Sequence, residues 1–276
     1  MQKAMLWITR QITRNLVLIA AFASLFCTFY SAYANTSAPS LGSASSLAVL
    51  AGTAVTCTNT PVTGNVGVWP GIAITETGCT VAGTVHTADA VAKNAFMDFI
   101  SAYNVLAPLN NTCDSAHTLT GTLNGLFLPP GVYCVDAVAK AGTLILDGHH
   151  QANPVWIFLV NGALTGTNFN VVLLNGGQPC NVFWWVKDAA TLTTSNVQGV
   201  ILAGAAITVT GGTLSGDVLA TAAVTLTGTQ INGCQPTGGT VPPPPGKCVQ
   251  EDDGKDKDKD HDNKDKDHDK DKGKKG

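Results

Sequence analysis

The chain is predicted to be mostly β, wound into a β-solenoid (β-helix) with one long α-helix packed alongside. Three observations lead there. Residues 189–228 hold three near-copies of one phrase: Ala189-Ala190-Thr191-Leu192-Thr193, Ala205-Ala206-Ile207-Thr208-Val209-Thr210 and Ala222-Ala223-Val224-Thr225-Leu226-Thr227. They begin 16 and then 17 residues apart, too short for a helical-hairpin repeat and suited to one solenoid turn. Within each copy threonine alternates with an aliphatic residue, and a strand sends alternate side chains to opposite faces. Leu192, Val209, Val224 and Leu226 are therefore expected inside. Thr191, Thr193, Thr208, Thr210, Thr225 and Thr227 are expected outside. Stacked coils lie about 4.7–4.9 Å apart, which would turn those threonines into ranks on a flat wall. The third observation is a recurring corner: Val62-Thr63-Gly64-Asn65-Val66, Val81-Ala82-Gly83-Thr84-Val85, Val197-Gln198-Gly199-Val200 and Leu214-Ser215-Gly216-Asp217-Val218.

Residues 1–34 have the form of a signal peptide. Lys3, Arg10 and Arg14 precede a largely apolar run over residues 16–30, and Ala32-Tyr33-Ala34 suits small-x-small cleavage. Export followed by cleavage after Ala34 makes the protein secreted, with no membrane insertion thereafter. Cys27 leaves with the leader, and Cys57, Cys79, Cys113, Cys134, Cys180, Cys234 and Cys248 remain. In an oxidising compartment, without CxxC or clustered Cys/His spacing, these favour disulfides over zinc. Cys113 and Cys134 bracket a polar, irregular segment and form the best candidate pair. Cys57 with Cys79 and Cys180 with Cys234 follow, leaving Cys248 over.

Residues 35–237 make one domain, large enough for a substantial core. It carries eight acidic side chains and three lysines, Lys93, Lys140 and Lys187. That balance excludes the basic patch needed for nucleic acid and for a polybasic membrane-surface site. Short β-type runs recur at residues 48–58, 62–68, 125–135, 143–146, 155–160, 171–174 and 182–186, broken by Gly, Asn, Asp or Pro. One segment departs from the β pattern. Over residues 88–106, Val91, Ala95, Phe96, Phe99, Ile100, Tyr103 and Leu106 recur at helical spacing. Thr87 is a plausible N-cap, Asp89 suits the first turn and Pro108 closes the segment. The aromatic stripe is expected to pack on the solenoid.

Residues 238–250 form a Pro-rich linker, and residues 251–276 alternate Asp with Lys and contain no apolar side chain. Such a tail cannot bury enough surface to fold and reads as a solvated, disordered spacer. It could attach the protein to a cell-surface or matrix component.

Several motifs, in order, resemble the bacterial and fungal ice-binding proteins of the DUF3494 type. They are Leu41-Gly42-Ser43-Ala44 with Val49-Leu50-Ala51-Gly52, Gly64-Asn65-Val66-Gly67-Val68-Trp69-Pro70-Gly71, His86-Thr87-Ala88-Asp89-Ala90, Leu128-Pro129-Pro130-Gly131-Val132-Tyr133, Cys180-Asn181-Val182-Phe183-Trp184 and Gly199-Val200-Ile201-Leu202-Ala203. The likeness covers about residues 41–234. It implies a right-handed, discontinuous solenoid of triangular section with its helix alongside. It also implies adsorption to the ice crystal surface through one flat face, with no catalysis and no metal; the chain is expected to be a monomer without a cofactor. Cys113 to Cys134 falls where some members carry a disulfide-tied capping subdomain. Thr53-Ala54-Val55-Thr56, Thr165-Gly166-Thr167-Asn168 and Thr210-Gly211-Gly212-Thr213 match the family's T-A/G-x-T/N motif. Where members commonly have Gly-Thr-Leu-Thr-Leu-Asp, this chain has Gly142-Thr143-Leu144-Ile145-Leu146-Asp147, so Ile145 would make the wall patchier.

Threonine presents a hydroxyl and a methyl at a stiff χ1, so a rank of them loses little rotamer entropy on binding. The candidate ice-contacting residues are the six threonines of the repeat, joined by Thr143 and Thr165, with Thr53 a further candidate. A polysaccharide-cleaving β-helix would need converging carboxylates and basic residues, which the scattered charges do not supply. Asp147-Gly148-His149-His150 reads as a turn between coils. The rival reading is a non-catalytic adhesive surface module of the same fold without ice affinity. Trp69, Trp156, Trp184 and Trp185 would serve such a module if two stood exposed side by side, and alternation is expected to turn only one of Trp184 and Trp185 outward.

Overall fold

The computed structural model describes residues 36–115 and 117–234, all within the first of the chain's two units, Met1–Thr237. The leader, the linker, Cys248 and the Asp/Lys tail lie outside the described residues. Every strand pairing is parallel, and the strands stack into two long sheets. In the first, nine strands lie in the order Val85–Thr87, Asn65–Val68, Leu47–Ala51, Val218–Ala220, Val200–Ala203, Val182–Val186, Trp156–Val160, Gly131–Val135 and Thr118–Leu119. The second runs Ala73–Thr77, Ala54–Thr58, Val224–Thr227, Ile207–Ser215, Ala190–Gln198, Leu164–Leu174, Lys140–Asp147 and Phe127–Leu128. Its long strands bend, and their second halves pair with a further set, Gln230–Asn232, Pro61–Thr63 and Thr80–Ala82. The result is a three-walled β-solenoid.

The winding is not sequential. The first strand among the described residues, Leu47–Ala51, lies between Asn65–Val68 and Val218–Ala220, so the coil ending at residue 232 closes against the one that begins at residue 47. The chain winds outward from residue 47 to residue 87, crosses the molecule in the helix Ala90–Leu106, and winds back from residue 118 to residue 232. The helix therefore does two jobs: it carries the chain across and it covers a wall.

That cover explains the first sheet. Leu47–Ala51, Trp156–Val160 and Val182–Val186 are buried at every position, as expected where a parallel sheet is packed on both faces. Inward residues such as Trp156, Phe158 and Trp184 fill the solenoid core. Outward ones such as Leu50, Leu159, Trp185 and Leu202 pack under the helix with Ala95, Phe99, Ala102 and Leu106. Both Trp184 and Trp185 are thus buried, at 0% and 4% exposure, and the expectation that one faces out fails because the helix covers the outer side. Trp185 Nε1 donates to Tyr103 O at 3.1 Å, and Tyr103 Oη donates to Lys187 O at 3.1 Å. Among the helix residues expected to pack, Val91 is 43% exposed. The N-cap is Asp89 and not Thr87: its carboxylate accepts the Ala92 N–H at 2.8 Å, while Thr87 ends a strand. The α-helix does end at Leu106, two residues before Pro108, and a 3-10 turn over Ala107–Thr112 follows it.

Disulfides join Cys57 to Cys79, Cys113 to Cys134 and Cys180 to Cys234. The runs at residues 48–58 and 125–135 each divide into two strands on different sheets. Gly64, Gly83, Gly199 and Gly216 do form one stacked corner. A Cβ on Gly216 would lie 1.9 Å from Gly199 O, and one on Gly83 would lie 2.4 Å from Gly64 O, so only glycine lets these backbones approach.

Candidate functional site

The phrase that repeats in residues 189–228 occurs seven times, as Ala-x-Thr-x-Thr; one copy, Ala116 to Thr120, contains the strand Thr118–Leu119 of the first sheet, and the other six are Ala163 to Thr167, Ala189 to Thr193, Ala206 to Thr210, Ala223 to Thr227, Ala54 to Thr58 and Ala73 to Thr77. The second sheet aligns all six. Thr165, Thr191, Thr208, Thr225, Thr56 and Thr75 are in register across neighbouring strands. Thr167, Thr193, Thr210, Thr227, Thr58 and Thr77 form a second rank. The residues between them point inward: Leu192, Val209, Leu226 and Cys57 are each 3% exposed or less. Neighbours in a rank stand about 4.8 Å apart and the two ranks about 6.7 Å apart, by strand geometry.

The wall is plain. Its twelve threonines are all exposed or half-exposed, and no charged residue stands in either rank. None of the twelve hydroxyls is engaged by another protein group among the described residues. Alanines stand two positions before the first rank, and they too are exposed or half-exposed. Beyond the second rank the strands turn at residues of positive φ: Asn168 at 50°, Thr194 at 48°, Gly211 at 64°, Gly228 at 54°, Asn59 at 47° and Gly78 at 66°. Asn tolerates this region and Gly is free in it, whereas a β-branched Thr194 there is an outlier. Its Oγ1 donates to Asn168 Oδ1 at 2.6 Å across the corner. This column ends the wall at a sharp edge.

Of the residues singled out from sequence, Thr191, Thr193, Thr208, Thr210, Thr225, Thr227 and Thr165 stand in the two ranks. Thr143 does not join them. A bulge between Lys140 and Gly142, with Gly142 at φ 77°, puts the corner before Thr143 and aligns it with Asn170 on the adjacent wall. Asn170 continues to Asn196, Thr213 and Gln230, and Asn196 Nδ2 donates to Asn170 Oδ1 at 2.8 Å. Ile145 lies on that adjacent wall too, beside Val172 and Phe127, so it does not interrupt the threonine ranks. Thr53 precedes its strand at the opposite corner. Five threonines of the ranks were not among the candidate contact residues: Thr56 and Thr167, which fall only within the family-motif matches, and Thr58, Thr75 and Thr77, which no motif picked out. The Ala-x-Thr-x-Thr pattern would have found them.

Elsewhere the polar clusters are structural. Asp147 is buried in the turn it was expected to make, accepting the His149 N–H at 2.9 Å and Asn175 Nδ2 at 2.7 Å. Trp156 joins Trp184 and Trp185 in being buried, so no side-by-side tryptophan platform exists among these three.

The chain is thus a three-walled parallel solenoid with one broad, uncharged, regularly spaced hydroxyl-and-methyl wall. The chain belongs to the ice-binding-like family, whose model matches residues 49–232. It is 38% identical over 205 residues to an ice-binding protein of Nostoc sp. (strain HG1), covering 72% of this chain and 74% of the relative. It is 31% identical to ice-binding protein K3-B1 of Typhula ishikariensis, covering 63% of this chain and 81% of that one. Among solved structures, an ice-binding protein from an Antarctic biological consortium superposes with a TM-score of 0.66 at 32% identity, covering 72% of this chain and 92% of that chain. One from the ascomycete Antarctomyces psychrotrophicus gives 0.64 at 33% identity, covering 71% and 98%.

Proposed function

We propose that the protein is an exported, non-catalytic antifreeze that adsorbs to ice through the two threonine ranks. The observation that carries this reading is the register of twelve threonines over six coils. Their methyls order adjacent water while their hydroxyls anchor it, so that the wall carries a water layer continuous with the crystal.

Breadth decides whether this suffices. If each methyl gained as much as a buried CH₂, about 0.8 kcal/mol, six threonines would contribute about 5 kcal/mol and twelve about 10. Association costs on the order of 4–15 kcal/mol in rigid-body freedom. Six threonines fall short over much of that range, and the full wall meets most of it. The three disulfides suit an oxidising compartment, which is where the leader-like residues 1–34 would deliver the chain.

The test is thermal hysteresis and ice-crystal shaping for the protein and for Thr210→Lys and Thr225→Lys. Both residues sit mid-wall, one in each rank. Lysine there would lift the crystal front off the neighbouring threonines and impose a strongly hydrated charge. Both variants are expected to lose hysteresis while their melting curves stay within about 0.5 kcal/mol of the parent, as exposed strand positions usually do. A parent that neither shapes ice nor depresses freezing would favour the adhesive module. Full activity in both lysine variants would move the site off this wall.

A further inference from the structure

Both ends of the solenoid finish in strands that pair along one edge only among the described residues. At one end the short strands Thr118–Leu119 and Phe127–Leu128 lie near the buried Leu123 and the Cys113–Cys134 disulfide; the other is the open end. At the open end the last coil consists of Ala73–Thr77, Thr80–Ala82 and Val85–Thr87. Each of these strands pairs along one edge, and among the described residues nothing pairs with the other. Unpaired edges above an apolar column are a template for adding another chain.

The register shows what has been altered at this end. In the next coil inward the core-facing residues are Val55, Cys57, Val62, Val66 and Val68, each 3% exposed or less. The last coil places Ile74, Glu76, Val81, Val85 and Thr87 over them, respectively. Three remain apolar, and Val85 is 42% exposed. Glu76, however, tops a column that otherwise reads Gly166, Leu192, Val209, Leu226 and Cys57. The side of the strand to which alternation assigns Glu76 is the core side, shared with Ile74, which packs on the core. A carboxylate has no reason to be there in a coil that is meant to be covered.

We propose that Glu76 guards the open end, keeping the chain from pairing end to end with a second copy. The charge stays hydrated only while nothing is laid over it, and a covering coil would strip its water without supplying a partner. Isologous pairing, open end against open end, would bury two such carboxylates. The Cys57–Cys79 disulfide ties the last coil to the one beneath it, giving an end that has no partner a covalent hold.

Sedimentation velocity over a wide concentration range tests this. The protein is expected to keep the mass of one chain throughout. Glu76→Val is expected to double its weight-average mass at the top of the range, and Glu76→Leu, which copies the column at 192 and 226, to do the same. Having both leaves the test intact if one misfolds. Glu76→Lys should remain single, since a charge of either sign serves. Val85→Lys added to Glu76→Val should restore the single chain, which places the contact at this end. Self-association of the parent, single-chain behaviour of both apolar variants, or a doubled mass that survives Val85→Lys would each overturn the proposal.

Discussion

The carboxyl of Asp217 is fully buried; Oδ1 accepts the Cys234 N–H at 2.8 Å and Oδ2 has no partner among the described residues. Burial pushes its pKa up to about 7, against the partial opposition of that hydrogen bond. The sign follows. A raised folded-state pKa means that the group's stabilising contribution is complete below the unfolded value of 3.8 and is lost as pH rises through about 7. Asp98 acts oppositely: hydrogen bonds from the Ser43 hydroxyl and backbone N–H hold its pKa below 3.8, so its contribution disappears in acid. Stability should therefore decline between pH 4 and pH 7 on account of Asp217 and level off above. Each pKa unit is worth about 1.4 kcal/mol, so the ionised carboxylate costs the fold on the order of 4 kcal/mol at pH 8. Asp217→Asn keeps the acceptor for Cys234 but buries an unpaired amide, an offset of about 1–3 kcal/mol. Urea melts at a series of pH values should show the slope gone and stability at pH 8 raised; an unchanged slope would remove Asp217 as its source.

Two kinds of strand share this chain, and their difference was legible in the sequence only in part. Strict alternation, as in Thr208-Val209-Thr210, announces one wet face, and the wall delivers it. A run such as Val182-Phe183-Trp184-Trp185-Val186 has no polar alternate, and both of its faces are covered. The expectation of one exposed tryptophan came from applying alternation where a continuous apolar run was the better signal. The helix was legible from its spacing because its apolar stripe serves that same covered sheet. Its cap was misplaced by two residues because Thr87 still belongs to a strand ladder. Phe99 sits at the centre of this contact, fully buried, with ring centroids 5.8 Å from Phe96 and 6.2 Å from Tyr103. Phe99→Ala should cost about 3–5 kcal/mol in denaturant melts. The wall lies on the other sheet, so at temperatures where the variant stays folded its hysteresis should match the parent's. Loss of activity in a folded variant would show that the helix shapes the wall.

For the molecule as a whole, the wall is made from two distant parts of the chain. Thr225 pairs with Thr56 and Thr227 with Thr58, so the last coil of the winding lies on the first. Periodicity finds repeats that follow one another, and it found the three coils whose threonines are 17 residues apart in register. It missed Thr56 and Thr75 because the closure that lays Thr225 on Thr56 joins distant segments with no period between them. It also under-read the coil from Thr165 to Thr191, whose 26-residue length breaks the rhythm. The same closure makes a prediction about local stability. In a solenoid wound in sequence order the first coil is an end, and ends fray most easily. Here Leu47–Ala51 and Ala54–Thr58 are each flanked by strands on both sides, while the open edge falls on residues 73–87. Native-state hydrogen exchange should therefore find the hydrogen-bonded amides of residues 47–58 as protected as those of Val200–Ala203 and Ile207–Thr210. The amides of Ala73–Thr77 and Thr80–Ala82 should exchange faster, because each of those strands is held along one edge. Rapid exchange throughout residues 47–58, with slow exchange at 73–82, would mean that the coils are stacked in a different order from the one described.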